Sequence, residues 1–320
     1  MQNLPLTPSF DSFEEKASKG NLIPVYAELS ADYETPISVY QKICDGQFSF
    51  LLESAESTDR AGRFSFIGSD PRAVIEARGP NIKISKGNKV DEFQSECGDS
   101  LKELEVFMSS YLPVSVSGLP VFYGGAVGYL SYDAVRYFEP TINEPVNDDL
   151  GLPDMVFMIT QNVVIFDHRL RKLLIVSNVF TKEGEELQTL YDNASKEIGK
   201  IIQKLDRSLD FRPLIKGVKT DSVEYKSNTS KDEYYDMVNK AKEFIHSGDA
   251  FQIVLSQRFE VDFPGTSIDL YRALRSVNPS PYMFCLKLGG DFSLVGCSPE
   301  VHVRAIDDKI EIRPIAGTRW

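Results

Sequence analysis

The sequence predicts an α+β fold in which two antiparallel β-sheets pack as a sandwich with helices outside. Three observations carry this expectation. Strand-like runs greatly outnumber helices that could serve as crossovers, which argues against a parallel sheet. The runs are short and are punctuated by Gly, Pro and Asp turn signals. Apolar residues make up 42% of the 320 and charged residues 26%, the balance of a globular chain with a core.

The elements follow in order. "NLIPVYAELS" (21–30) and "QFSFLLES" (47–54) read as strands, with a helix at "PISVYQKI" (36–43) between them. "GRFSFIGSDP" (62–71), "AVIEARG" (73–79) and "NIKISKG" (81–87) are β-rich runs ended by turn residues. "DSLKELEVFMSSYL" (99–112) has helical apolar spacing, with Asp99 where an N-cap belongs. "VFYGGAVGYLSYDAVRYFE" (121–139) mixes a glycine-rich strand with a short helix. "MVFMITQNVVIFDHRLRKLLIVSNVF" (155–180) is two apolar runs around "DHRLRK", most simply a long hairpin. Residues 181–209 repeat apolar positions at three and four and should be helical. Residues 210–229 are polar and aperiodic, so they are expected to connect a first region, 1–209, to a second, 230–320.

The second region opens on a capping-box spacing, Ser230 and Glu233, that satisfies two free helix N–H groups reciprocally. Tyr234, Met237, Val238, Ala241, Phe244 and Ile245 then form one helical face, and Gly248 is placed to end it in a left-handed conformation. From Ala250 the period becomes two, with Phe251, Ile253 and Leu255 opposite Gln252, Val254 and Ser256. A helix over 267–277 follows. Four further runs, "YMFCLKL", "FSLVGC", "VHVRAI" and "IEIRPI", suggest an antiparallel meander.

Composition excludes several classes. A net charge of −12 opposes binding to nucleic acid, whose phosphates require a basic surface. No stretch approaches eighteen uninterrupted apolar residues, so no membrane span is expected. The N-terminus has neither a basic start nor an apolar core, which makes the cytoplasm the expected location. Cys44, Cys97, Cys285 and Cys297 form no CxxC pair and read as reduced packing thiols. His168, His246 and His302 have no ligand spacing; carboxylate-bound magnesium stays open, because it requires only oxygen ligands.

Five short motifs bear on chemistry: "LLESAE" (51–56), "GDAFQIVLSQRF" (248–259), "NPSPYMF" (278–284), "GCSPE" (296–300) and "IRPIAGTR" (312–319). Each taken singly also reads as a turn or a strand end. In this order and spacing they resemble the chorismate-utilising enzymes, and with "LLESAE" upstream the anthranilate synthase component I family in particular. The resemblance runs from about Asn21 to Trp320.

The resemblance implies roles for individual residues. Gly317 and Thr318, with Ala316 before them, would bind chorismate through a closely approaching backbone N–H and a hydroxyl. Glu300 would be the general acid for loss of the ring hydroxyl, which leaves far more readily as water. Family members that hydrate chorismate carry a lysine base at the position of Gln252; an amide cannot take that proton, so ammonia is implied as nucleophile. The aminodeoxychorismate branch carries a nucleophilic lysine at the position of Ala316, and a methyl group can form no adduct. Glu53, Ser54, Pro281, Tyr282 and Met283 would line a feedback pocket for L-tryptophan, with apolar surface for the indole, a carboxylate for the ammonium and a hydroxyl.

The resemblance also implies Mg2+ and a separate glutamine amidotransferase subunit, component II, that supplies ammonia. Family members continue well past the "PIAGTR" motif, and that segment supplies the two magnesium-holding glutamates and a catalytic histidine. The chain is therefore expected to be C-terminally truncated, to lack metal ligands of its own, and to be inactive by itself. Two other readings stay open: an aminodeoxychorismate synthase component I, or a non-catalytic tryptophan-binding fragment.

Overall fold

The computed structural model describes residues 4–54, 62–139, 141–142, 148–209 and 223–313. The chorismate-binding candidates Ala316, Gly317 and Thr318 lie outside the described residues. The chain divides into two compact units, one of residues 1–211 with 267–320 and one of residues 212–266.

The larger unit holds two antiparallel sheets. Seven strands form the first, in the order β1 (Leu22–Ser30), β10 (Lys172–Phe180), β9 (Asn162–Asp167), β3 (Phe64–Ser69), β2 (Phe48–Glu53), β13 (Tyr282–Leu288) and β14 (Ser293–Ser298). Five form the second, in the order β6 (Lys89–Gln94), β5 (Asn81–Lys86), β4 (Ala73–Arg78), β8 (Met155–Ile159) and β7 (Ala126–Leu130). The pairing of β13 with β2, Met283 opposite Glu53 and Leu286 opposite Phe50, is what joins β13 and β14 to the strands of residues 22–180.

Alternation assigns the faces. Phe50 of β2, with Val74, Val127, Val156 and Met158 of the second sheet, belongs to one core shared by the two sheets. The opposite face of the second sheet, Ile75, Ala77, Met155 and Ile159, is covered by Leu101, Leu104, Phe107 and Met108 of α3 (Ser100–Ser109). The outer face of the first sheet carries α1 (Phe10–Ala17), α2 (Pro36–Ile43), α4 (Leu187–Leu205) and α6 (Ser267–Val277). The fold is thus the predicted sandwich with helices outside. Fully burying one such Leu or Ile contributes about 2–3 kcal/mol, and Ile23, Leu51, Ile67, Ile165 and Ile175 are all inaccessible to solvent.

Local chemistry accounts for the helix ends. Thr35 and Ser38 form a capping box at the start of α2, with proline at the first helical position. Asp99 accepts from the Leu101 N–H at the start of α3.

Several expectations are corrected. The 155–180 stretch is not one hairpin: β9 and β10 form that hairpin, while Met155–Ile159 is a strand of the other sheet. Both halves are apolar on both faces, so the step at Thr160 and Gln161 leaves no mark in the pattern. The four-strand meander stops after two strands. Pro299 removes a ladder donor just beyond β14, and β15 (Arg304–Ile306) pairs with β16 (Lys309–Glu311) in a separate ribbon. Helix α1 and strand β6 carried too short or too polar a pattern to be anticipated.

The smaller unit contains α5 (Lys231–Ser247) and a ribbon of β11 (Lys226–Ser227) and β12 (Phe259–Glu260). Ser230 and Glu233 form the expected capping box, and Gly248 ends the helix at φ 88°. The alternating stretch 251–258 is not a strand here. Alternation supplies the faces of a strand, but a ladder also needs a partner, and none pairs with 251–257 among the described residues.

Candidate functional site

The candidate tryptophan residues meet at one end of β2 and β13. Glu53 is the last residue of β2 and lies directly across from Met283, which in turn lies across from Cys297 of β14. These three therefore share the outer face of the sheet, beneath α6. Continuing the β2–β3 register places Ser65 beside Glu53 on that face, and the Ser65 hydroxyl lies 2.8 Å from Nε2 of His168. Met283 is buried, Ser54, Pro281 and Tyr282 are half-buried, and the Tyr282 hydroxyl accepts from Arg304 at 3.1 Å.

Glu53 itself is not open to solvent. Its side chain is 1% exposed, and three donors from α6 meet its carboxylate. Arg275 donates from Nε to Oε2 at 3.0 Å and from Nη2 to Oε1 at 2.7 Å, a two-point pairing, and the Tyr271 hydroxyl donates to Oε2 at 2.8 Å. Tyr271 and Arg275 are four residues apart and so lie on one face of the helix.

The electrostatics follow from this geometry. Hydrogen bonding to Glu53 raises the Arg275 pKa against the effect of burial. Burial, reinforced by the adjacent Glu53 charge, pushes the Tyr271 hydroxyl far up. Burial lowers the pKa of His168, and Glu53 works in the opposite direction. Neither Tyr271 nor Arg275 stood out in the sequence. The available signal was the tyrosine and arginine at i and i+4 in "SIDLYRALRSV", on a helix beside a strand that ends in a glutamate needing a cation.

The segment between α6 and β13 is tied down as well. The Asn278 N–H donates to Leu274 O at 2.8 Å, and the Asn278 side chain donates to Cys297 Sγ at 3.2 Å. Glu300 is half-buried just beyond β14. Its N–H reaches the Ser298 hydroxyl at 3.5 Å, that hydroxyl donates to Glu300 O at 3.0 Å, and Ser298 lies across from Tyr282. The strand register thus brings the Glu300 turn to the Tyr282 end of β13. Gln252 belongs to the smaller unit and is exposed. On the opposite face of β2 and β13, Leu52, Phe284, Leu286, Leu294, Phe122 and Phe157 line an apolar groove of about 420 Å³.

Among the described residues no three His, Cys, Asp or Glu side chains converge as metal ligands. No helix among them is long and apolar enough to cross a membrane. All four cysteines are unbonded, with Cys44 and Cys285 buried.

Glu53 of "LLES" lies across from Met283 of "PYM", and the chain belongs to one class of protein, the chorismate binding enzymes, whose family model matches residues 47–320. Its curated relatives include anthranilate synthase component 1 of Aquifex aeolicus, 37% identical over 98% of this chain and 63% of the relative. Component 1 of Pseudomonas putida is 38% identical over 93% of this chain and 60% of the relative. A crystal structure of anthranilate synthase component I from Streptococcus pneumoniae matches with a TM-score of 0.63 at 26% identity, over 88% of this chain and 59% of the other. The chain thus spans about three-fifths of the length of these relatives.

Proposed function

We propose that the intact protein is the aminating subunit of an anthranilate synthase. It would convert chorismate and ammonia to anthranilate and pyruvate, the ammonia coming from glutamine through a partner amidotransferase subunit, component II. The observation that carries this is the pairing of Gln252 with Ala316 in a chain 37% identical to anthranilate synthase component 1.

An amide at 252 is no base for hydration, and a methyl group at 316 is no nucleophile. Ammonia therefore attacks the ring directly, Glu300 protonates the departing hydroxyl so that it leaves as water, and elimination of pyruvate yields the aromatic product. Gly317 and Thr318 supply donors to a substrate carboxylate. Magnesium, where bound, would neutralise substrate charge. L-tryptophan would act as feedback inhibitor in the region of Glu53, Ser54, Pro281, Tyr282 and Met283, and the protein would work in the cytoplasm.

Chromatographic product analysis of the intact protein with chorismate, ammonium and magnesium tests the proposal. Anthranilate with equimolar pyruvate is expected. Accumulation of isochorismate, of aminodeoxychorismate, or of a labelled covalent ring adduct would overturn it.

A further inference from the structure

Glu53 stands where a carboxylate could hold the ammonium of an amino-acid ligand, yet the structure gives it a different task. A ligand ammonium requires an acceptor with free lone pairs and access. The Glu53 side chain is 1% exposed, and its two oxygens already receive three donors, two from Arg275 and one from Tyr271. At the same time its backbone lies in register with Met283.

The two ties fall on either side of one short stretch of chain. Arg275 is in the last turn of α6, three residues before Asn278; Met283 is the second residue of β13. Between them lie the end of α6, the α6–β13 turn (278–281) with Pro281, and Tyr282, the first residue of β13. One residue of β2 thus grips both flanks of the turn, by side chain on the helix and by strand pairing on the other side. Asn278 adds a third tie to β14 through Cys297.

We propose that Glu53 is a positioning residue, and that with Arg275 and Tyr271 it clamps the α6–β13 turn in the conformation that presents Pro281 and Tyr282 to a ligand. For tryptophan as that ligand the inference rests on the reading above; the clamp itself does not. Glu53 acts through the helix, and the ligand's ammonium finds its acceptor elsewhere.

The test uses the intact protein and the variants Glu53→Gln, Arg275→Met, Tyr271→Phe and the double variant Glu53→Gln/Arg275→Met. First, amide hydrogen exchange is followed without ligand. Residues 274–282 are expected to exchange at least about tenfold faster in both Glu53→Gln and Arg275→Met, and less so in Tyr271→Phe, which removes one of three donors. Unchanged exchange in both would overturn the clamp whatever tryptophan does.

Second, calorimetry compares L-tryptophan with indolepropionate, which lacks the ammonium. Glu53→Gln and Arg275→Met are each expected to weaken both ligands by a similar factor, about tenfold or more, with Tyr271→Phe weakening both less, and the double variant is expected to be no worse than Glu53→Gln or Arg275→Met alone. The preference for tryptophan over indolepropionate stays at the wild-type value. A Glu53→Gln variant that loses this preference while Arg275→Met binds tryptophan normally would show that Glu53 holds the ammonium itself, and would overturn the proposal. A wild-type protein that binds neither ligand would sink the tryptophan reading, and the exchange result would then decide the clamp.

Discussion

At Asp167 four donor groups converge on one buried carboxylate: Nε and Nη2 of Arg63 and the backbone N–H groups of Arg169 and Leu170. Burial opposes its ionisation, but these donors outweigh burial and hold its pKa below the ordinary aspartate value. The folded carboxyl therefore binds its proton less readily than the unfolded one. Its stabilisation is complete above about pH 3.9 and is lost as pH falls through the lower folded value. Asp167→Asn is expected to cost about 1–3 kcal/mol at pH 7, and the difference from wild type should shrink on acidification below about pH 3.9 in urea unfolding curves. His168, next in sequence, acts in a different window. Its folded pKa is lowered by burial, so the unfolded state takes up the proton first and stability declines as pH drops below about 6.5. His168→Gln should flatten that part of the stability profile. The sequence named Glu53, Met283 and Glu300 as residues of interest through motifs. Tyr271 and Arg275 left only the weak trace of their i, i+4 spacing and Ser65 left none, because their importance comes from a register between strands and from a helix laid across it, neither of which is local information.

Capping residues and glycines set where the elements stop and how closely they approach. Gly248 ends α5 at φ 88°, where an added side chain meets no neighbour but the backbone is strained. Gly248→Ala and Ser230→Ala should each destabilise α5 by about 1 kcal/mol, read as faster amide exchange within 231–247. Gly128 of β7 needs no unusual backbone angle; there the reason is space. A Cβ at 128 would lie 1.8 Å from the Val156 carbonyl oxygen of the neighbouring strand, an atom fixed by the ladder. Gly128→Ala is expected to cost about 3 kcal/mol or more and to release β7 first. Helices α2, α3 and α5 were legible because their periodicity and caps are local. The stretch 251–258 was misread for the complementary reason: a strand needs a partner, and its own residues do not report one.

The seven-stranded sheet joins residues far apart in the chain, with β2 paired to β13 across more than two hundred positions. Such non-local pairing must close a large loop before it is rewarded, so slow folding is expected for the larger unit. A chain cut before Ser267 would lose β13, β14 and α6, leaving β2 as an open edge that carries Phe50 and Leu51. It should appear as soluble aggregate in size-exclusion chromatography, whereas the full chain should not. The sandwich class was readable from strand number and turn spacing, but the assignment of each strand to a sheet was not. The joint between β8 and β9 makes the point, because the chain passes from one sheet to the other across Thr160 and Gln161 alone. Both are pinned: the Thr160 N–H donates to Gly125 O at 2.9 Å, its hydroxyl accepts from the Gly125 N–H at 2.8 Å, and Gln161 O accepts from the Asn178 N–H at 2.8 Å. Those two residues act as a phase lock. An odd-numbered insertion or deletion there would turn Val163 and Ile165 outward and Val164 and Phe166 inward, inverting one sheet relative to the other. Length at this joint is consequently far less free to drift than the identity of the side chains around it.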